Sequence, residues 1–294
     1  MIRRSFLRRL LKTGAAFGAA GSGAFGYGSL VERNHPVVER LKIAMPGLGP
    51  AWEGCRVVQI SDLHLEPLHN PELVLRTVAI INSMKPDVIV LTGDYVTHDS
   101  RDIMALSAPL AGLKARAGVF AIPGNHDVWN GASRIAGALR HHGITWLRNN
   151  GVPLTDKGDT LWIGGMDSIW GGRPHIHEAL KDRPGEAPVV LLMHEPDYAD
   201  HVALASMPLL QLSGHTHGGQ VCLPGGHPIQ LPSWGRKYSR GLYQVGKVQL
   251  YVNRGLGCMD VPVRFACPPE ITEFTLVPAV GETKSGVASF RPVT

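Results

Sequence analysis

The sequence predicts a layered α/β domain, and three observations carry that expectation. Apolar runs rich in Val, Ile and Leu recur from Cys55 onward: CRVVQIS, DVIVLTG, GVFAIPG, TLWIGGM, PVVLLMH and PLLQLSG. Each is continuous rather than alternating, as strands buried on both faces of a parallel sheet are. Segments of helical period lie between them, and most of them end in a short polar signature. At 294 residues and 44% apolar content the chain can bury a large core, as one large domain or two small ones.

The first element is a basic head. Residues 1–12, MIRRSFLRRLLK, hold five of the 29 Lys and Arg and no acid, so the rest of the chain balances at 24 against 24 Asp and Glu. A nucleic-acid footprint needs positive charge clustered on the folded domain, and this balance gives none. An uncharged run, Thr13 to Val31, comes after the head. Together they resemble a twin-arginine (Tat) export signal, Arg3 and Arg4 being the arginine pair. Residues 1–31 are therefore expected to direct export and to add nothing to the fold. No A-x-A site stands out, so the segment is either cleaved or kept as a membrane anchor. Tat export of folded protein would let an enzyme take up its metals in the cytoplasm and work in the periplasm or on the extracytoplasmic face.

Residues 32–54, with Pro36, Pro46, Gly47, Gly49 and Pro50, read as a linker with room for one opening strand. In NPELVLRTVAIINSMK, Asn70 is an N-cap, Pro71 takes the first helical position, and Leu73, Val74, Thr77, Val78 and Ile81 share a face. GASRIAGALRHHG is a second helix, stopped by Gly143. VQLYVNRG and EITEFTLV are strands with no helix between them, and residues 279–294 read as a flexible tail. Cys55, Cys222, Cys258 and Cys267 form no C-x-x-C pair, so structural zinc is not indicated. A Cys258–Cys267 disulfide or four free thiols both fit.

The chemistry lies at the carboxyl ends of five of the six apolar runs. VVQIS leads into Asp62-Leu63-His64, VIVLTG into Asp94, VFAIPG into Asn125-His126-Asp127, VVLLM into His194, and LLQLSG into His215-Thr216-His217. Ligands of open α/β sheets bind outside the carboxyl ends of the strands, so five such ends would converge on one rim. Gly93, Gly124 and Gly214 allow the chain to turn sharply there. Carboxylates mixed with imidazoles suit Mn, Fe or Zn better than Ca or Mg. Asp62, His64, Asp94, Asn125, His194, His215 and His217 are too many for one ion and enough for two. Asp94 is the natural bridge.

The ordered set D-x-H, GD, GNHD, H, GHTH resembles the calcineurin-like metallophosphoesterases over residues 55 to 277, and it departs from that pattern at no motif position. The resemblance implies a four-layer α/β/β/α sandwich over residues 55–278 with a dinuclear site. One metal would take Asp62, His64, Asp94 and His217, the other Asp94, Asn125, His194 and His215. Asn125 would bind through its amide oxygen, His126 would act as general acid at the leaving group, and Asp127 would hold the His126 imidazole.

Other residues border this pattern. Glu195 either orients His194 or is a solvated loop acid, Asp167 lies near the site without being a ligand, and His98 lies at its rim. The segment from Gly218 to Gly246 starts beside His217 and carries Ile229, Leu231 and Trp234 next to Arg236, Lys237, Tyr238 and Arg240. It is either a membrane-facing tip with a basic collar or a β-hairpin packed on the sandwich. NRGLG and PVRFACPPEI are similar to the exported branch that includes phosphodiesterases and UDP-2,3-diacylglucosamine hydrolases. Arg254 and Arg264 are then either phosphate contacts or buried structural arginines. The expected activity is hydrolysis of a phosphodiester or pyrophosphate in a phosphorylated small molecule, a lipid or a nucleotide-sugar, with the Tat machinery and a membrane surface as the other partners. A non-catalytic scaffold that kept the fold is the rival, and it would need neither His126 nor seven intact ligand positions.

Overall fold

A computed structural model describes residues 21–64 and 71–279. The Arg3-Arg4 pair, the Asn70 cap and tail residues 280–294 lie outside the described residues. Two six-stranded sheets face each other. The first contains β1 (Val37–Met45), β2 (Arg56–Ile60), β3 (Val88–Leu91), β4 (Gly118–Ala121), β5 (Thr145–Trp146) and β14 (Glu270–Pro278), in the order β1-β14-β2-β3-β4-β5. The second contains β6 (Asn150–Asp156), β7 (Asp159–Gly165), β8 (Val189–Leu192), β9 (Leu209–Ser213), β12 (Gly241–Val245) and β13 (Val248–Val252), in the order β12-β13-β9-β8-β7-β6. Strands β2 to β5 run parallel, as do β7, β8, β9 and β13. Their carboxyl ends therefore open on one side of each sheet.

Alternate residues of each run divide between two cores. Val57, Val88, Val90 and Phe120 of the first sheet meet Leu161, Ile163, Val190, Leu192, Leu210 and Leu212 of the second, which forms the sandwich interior. Their neighbours Val58, Ile60, Ile89 and Leu91 face outward onto helices α2 (Pro71–Met84), α3 (Ile103–Leu110) and α5 (Ala132–His141). Val74, Val78 and Ile81 of α2 are buried there, on the helix face the sequence periodicity marks. Gly143, at φ 77°, ends α5 in the left-handed region, and its N–H bonds the Arg140 carbonyl. On the far side Val189, Leu191, Leu209 and Leu250 pack beneath α6 (Ile176–Leu180) and α7 (Ala199–Val202). This is the four-layer α/β/β/α arrangement. It is built from runs that are apolar throughout because both of their faces are covered.

The opening strand for which residues 32–54 left room is β1, and the residues around it are also structured. β1 pairs in parallel with β14 along its whole length, Val37 to Met45 against Glu270 to Pro278, and forms the sheet edge. Residues 21–30 are helical (α1), and Gly28 lies against the Arg264 backbone and the Val263 side chain, where its carbonyl accepts the Arg264 N–H at 3.2 Å. A Cβ on Gly28 would sit 2.6 Å from the Arg264 carbonyl oxygen, so the approach depends on glycine. The buried Glu32 then accepts the backbone N–H of Ala266 and Cys267. The described part of residues 1–31 thus packs on the domain, against the expectation that it adds nothing to the fold. Among the described residues no helix is long and apolar enough to cross a membrane. All four cysteines are free and buried.

Candidate metal centre

The polar residues after β2, β3, β4, β8 and β9 converge on one rim. Asp62, His64, Asp94, His215 and His217 all have φ between 42° and 73°, the left-handed region that non-glycine residues avoid. Such strain persists only where the surroundings over-determine it, and here it turns five side chains toward one point. Gly93, at φ 96°, makes the crossing possible. A Cβ there would lie 2.5 Å from the Gly124 nitrogen and 2.8 Å from His194 Nδ1.

Two ligand groups result. Asp62, His64 and His217 form one, and Asp94, His194 and His215 the other, with the offered atoms of each within 4.8 Å of one another. Asp94 Oδ2 stands between the groups, 3.5 Å from His64 Nε2 and 3.1 Å from His194 Nε2. His217 Nε2 and His194 Nε2 lie 3.5 and 3.9 Å from Asp62 Oδ1. All are buried, and the polar atoms Asn125 Oδ1, His64 Nε2, His194 Nε2 and His217 Nδ1 have no hydrogen-bond partner. Unpaired buried polar atoms are costly, so their convergence at a mixed Asp, His and Asn donor set fits divalent ions.

The other ring nitrogens fix the tautomers. His194 Nδ1 bonds the Thr92 carbonyl at 2.6 Å, and His64 Nδ1 lies 3.3 Å from Thr97 Oγ1. His215 Nε2 bonds the Ser233 carbonyl at 2.8 Å, which leaves Nδ1 as the lone-pair nitrogen. Burial, and next the neighbouring His194, push the His215 pKa down to about 3. Burial likewise holds His217 well below its ordinary value, with His64 and Arg264 adding to it. Burial works against a charged Asp94, but His194 and His64 outweigh it and keep the carboxyl well below the usual range.

His126 is half-buried at the rim, its ring centroid 5.0 Å from that of His64 and 5.0 Å from Trp129. Its Nδ1 bonds the Thr97 carbonyl at 2.9 Å, leaving Nε2 for chemistry. Asp127 does not hold this ring, contrary to the role the sequence suggested. Its buried carboxylate accepts the backbone N–H groups of Asp94, Tyr95 and Gly124 at 2.8, 3.0 and 2.8 Å. Asp127 therefore ties the Asp94 turn to the start of α4 (Asn125–Asn130) and positions two ligands. Burial, then the Asp94 charge, raise it to about 7. Thr97 orients His126 through a main-chain oxygen, helped by Asn130, whose amide donates to that oxygen at 3.1 Å and to the His126 carbonyl at 2.7 Å. No sequence signal marks such a role, since every residue carries a carbonyl.

Arg254 and Arg264 take the structural alternative. The Arg254 guanidinium pairs with Glu270 and Glu39 at 2.5 and 2.6 Å, and the fully buried Arg264 donates to the Gly257, Cys267 and Arg254 carbonyls. Neither lines the cavity over the site. Arg254→Met leaves the buried Glu270 without its cation, and breaking such a pair costs roughly 3–5 kcal/mol. Urea denaturation should show that loss, with KM unchanged in the folded fraction. Undiminished stability with a raised KM would return Arg254 to substrate binding.

Asp167 pairs with Arg148 at 2.9 Å, off the cavity. His98 is exposed and does not line it. Glu195 is not a solvated acid, and its charge interacts with that of His194. It is fully buried, bonds Ser168 Oγ, and burial raises it to about 7. The segment after His217 splits in two. Strands β10 (Cys222–Leu223) and β11 (His227–Pro228) form a small hairpin, and Ile229 to Ser233 line the cavity. Arg236 and Lys237 lie off the cavity, the latter paired with Asp200 at 2.8 Å.

Comparison with known proteins agrees with this geometry. The family model described as calcineurin-like phosphoesterase matches residues 55–219. The metallophosphoesterase YkuE of Bacillus subtilis (strain 168) is 35% identical over 282 residues, covering 94% of this chain and 98% of that one. The phosphodiesterase YaeI of Escherichia coli (strain K12) is 32% identical over 280 residues, covering 92% and 98%. A metallophosphoesterase of Helicobacter pylori (strain J99) is 30% identical over 281 residues, covering 94% and 73%.

Proposed function

We propose that this chain, which belongs to the calcineurin-like phosphoesterase family, is a two-metal hydrolase of a phosphodiester or pyrophosphate bond in a lipid or nucleotide-sugar. The observation that carries this reading is Asp94 Oδ2 set close to ligand nitrogens of two buried groups, beside the unpartnered Asn125 Oδ1, His64 Nε2, His194 Nε2 and His217 Nδ1. Asp62, His64, Asp94 and His217 would hold one ion, and Asp94, Asn125, His194 and His215 the other. Mn, Fe or Zn suits this donor set. Bound there, the ions supply Lewis-acid stabilisation of the phosphoryl oxygens and an acidified water as nucleophile.

The chain supplies the rest. Thr97 holds the Nδ1 side of His126, so the proton available to a departing oxygen is the one on Nε2. Asp127 fixes the backbone of Asp94 and Gly124, which keeps the bridging carboxylate and Asn125 in register. The name of YaeI supports a phosphodiester as the bond cleaved. Protein with added Mn²⁺ should release p-nitrophenol from bis-p-nitrophenyl phosphate, and chelator should stop the release. Absence of turnover with every divalent metal added would favour the non-catalytic scaffold.

Export by the Tat route belongs to the same proposal, supported by the five cations of residues 1–12 ahead of an uncharged run. It would place the activity in the periplasm or on the extracytoplasmic face of the cell membrane, with cleavage or anchoring as its two forms. Arg3→Lys combined with Arg4→Lys should leave folded, active protein in the cytoplasm by fractionation. Export of the double variant at the unaltered level would remove the Tat reading.

A further inference from the structure

The cavity over the metal centre has a volume of about 590 Å³ and a lopsided chemistry. At its floor lie Asp94, Asn125, His126, His215 and His217. Its walls carry Trp129 from α4, Trp170 from the turn after β7, Ile229 and Leu231 after β11, and Met259 and Val261 after β13. Among the described residues no Lys or Arg lines it, and its one wall charge is the acid Asp260. Trp129, Ile229 and Val261 are 56%, 63% and 50% exposed, large apolar side chains kept in water beside a polar centre. Trp129 continues the line of the catalytic ring, 5.0 Å from His126 and 6.0 Å from Trp170.

We propose that this wall is a subsite for an aliphatic arm, and that the substrate is a phosphodiester whose only charge is the phosphate at the metals. This rests on the phosphoesterase reading and narrows it. A nucleotide or pyrophosphate brings further negative charge and polar groups, and its recognition calls for Arg or Lys partners that these walls do not offer. An alkyl chain asks only for apolar area, and each buried methylene is worth about fourfold in affinity. A cavity of this size takes an arm of several carbons. The exposed Ile229, Val261 and Trp129 gain cover when such an arm is bound.

The test is a series of alkyl p-nitrophenyl phosphates from methyl to octyl, with thymidine 5′-(p-nitrophenyl phosphate) as the nucleotide comparator and Mn²⁺-loaded protein. Water adds to phosphorus, the P–O bond to p-nitrophenolate breaks, and the alkyl phosphate is the other product. kcat/KM should rise about threefold to fourfold per methylene until the chain outgrows the cavity. Ile229→Ser combined with Val261→Ser should flatten that slope. A flat series, or preference for the thymidine ester over the hexyl one, would overturn the subsite while leaving the phosphoesterase reading intact. Failure to cleave even the methyl ester would count against the phosphoesterase reading instead. The subsite is then decided by binding: alkylphosphonates of graded length should shift tryptophan fluorescence with affinity rising by chain length, and length-independent affinity would overturn it.

Discussion

Asp94→Asn is expected to cost the protein both ions. The Asp94 carboxylate lies within 3.5 Å of a ligand nitrogen from each group, so the loss of its charge weakens both sites together. The substitution is conservative for the fold. Asp94 Oδ1 accepts the His126 N–H at 2.9 Å, and an amide oxygen can take the same bond, so the start of α4 stays in place. What disappears is the charge that His194 and His64 stabilise. Metal analysis of purified protein should show the loss of more than one equivalent. Turnover of bis-p-nitrophenyl phosphate should fall by at least about 10²–10³-fold, the scale of removing a pre-organised electrostatic stabiliser. Circular dichroism should be unchanged. Clean loss of a single ion would contradict the bridge.

His126→Ala should separate binding from chemistry. The ring is bound on its Nδ1 side by the Thr97 carbonyl and belongs to neither ligand group, so the variant should keep its metals. General acid catalysis contributes typically about 10²–10⁴-fold. That loss should appear in full for an alkoxide leaving group and nearly vanish for p-nitrophenolate, which leaves without a proton. The pH dependence has a defined sign. His126 must carry a proton to donate one, and burial lowers its pKa from 6.5. With an alkoxide leaving group, kcat/KM should therefore fall as pH rises through a value below 6.5, and the variant should lack that limb. A wild-type to variant ratio independent of leaving-group pKa would assign His126 to holding the phosphate, and depleted metal would make it a ligand.

The layers and the rim were legible because both arise from local sequence. A strand covered on both faces is apolar at every position, as DVIVLTG and PVVLLMH are, and the polar residues that end such a run fall at the sheet's carboxyl edge by construction. β1 was legible only as room for an opening strand, without bounds, because of its place at the sheet edge. VVERLKIAM mixes charges with apolar residues because only its end is well buried, and its partner β14 starts at Glu270. The role of Asp127 was hidden because its three donors are main-chain amides of residues 94, 95 and 124, two of which only folding brings near. Arg254 and Arg264 read equally well as phosphate contacts or structural cations until Glu39 and Glu270 came into view around the first. Pairing across that distance has no local signature.

The two-ion centre is tested most directly by metal stoichiometry. Protein stripped with chelator and dialysed should be titrated with Mn²⁺ while release of p-nitrophenol from bis-p-nitrophenyl phosphate and bound metal are monitored in the same samples. Activity should stay low through the first equivalent and reach its plateau as the second is bound, since Asp94 of one ligand group also lies 3.5 Å from His64 Nε2 of the other, and the two sites should act together. A plateau reached at one equivalent, or two bound equivalents without turnover, would contradict the account.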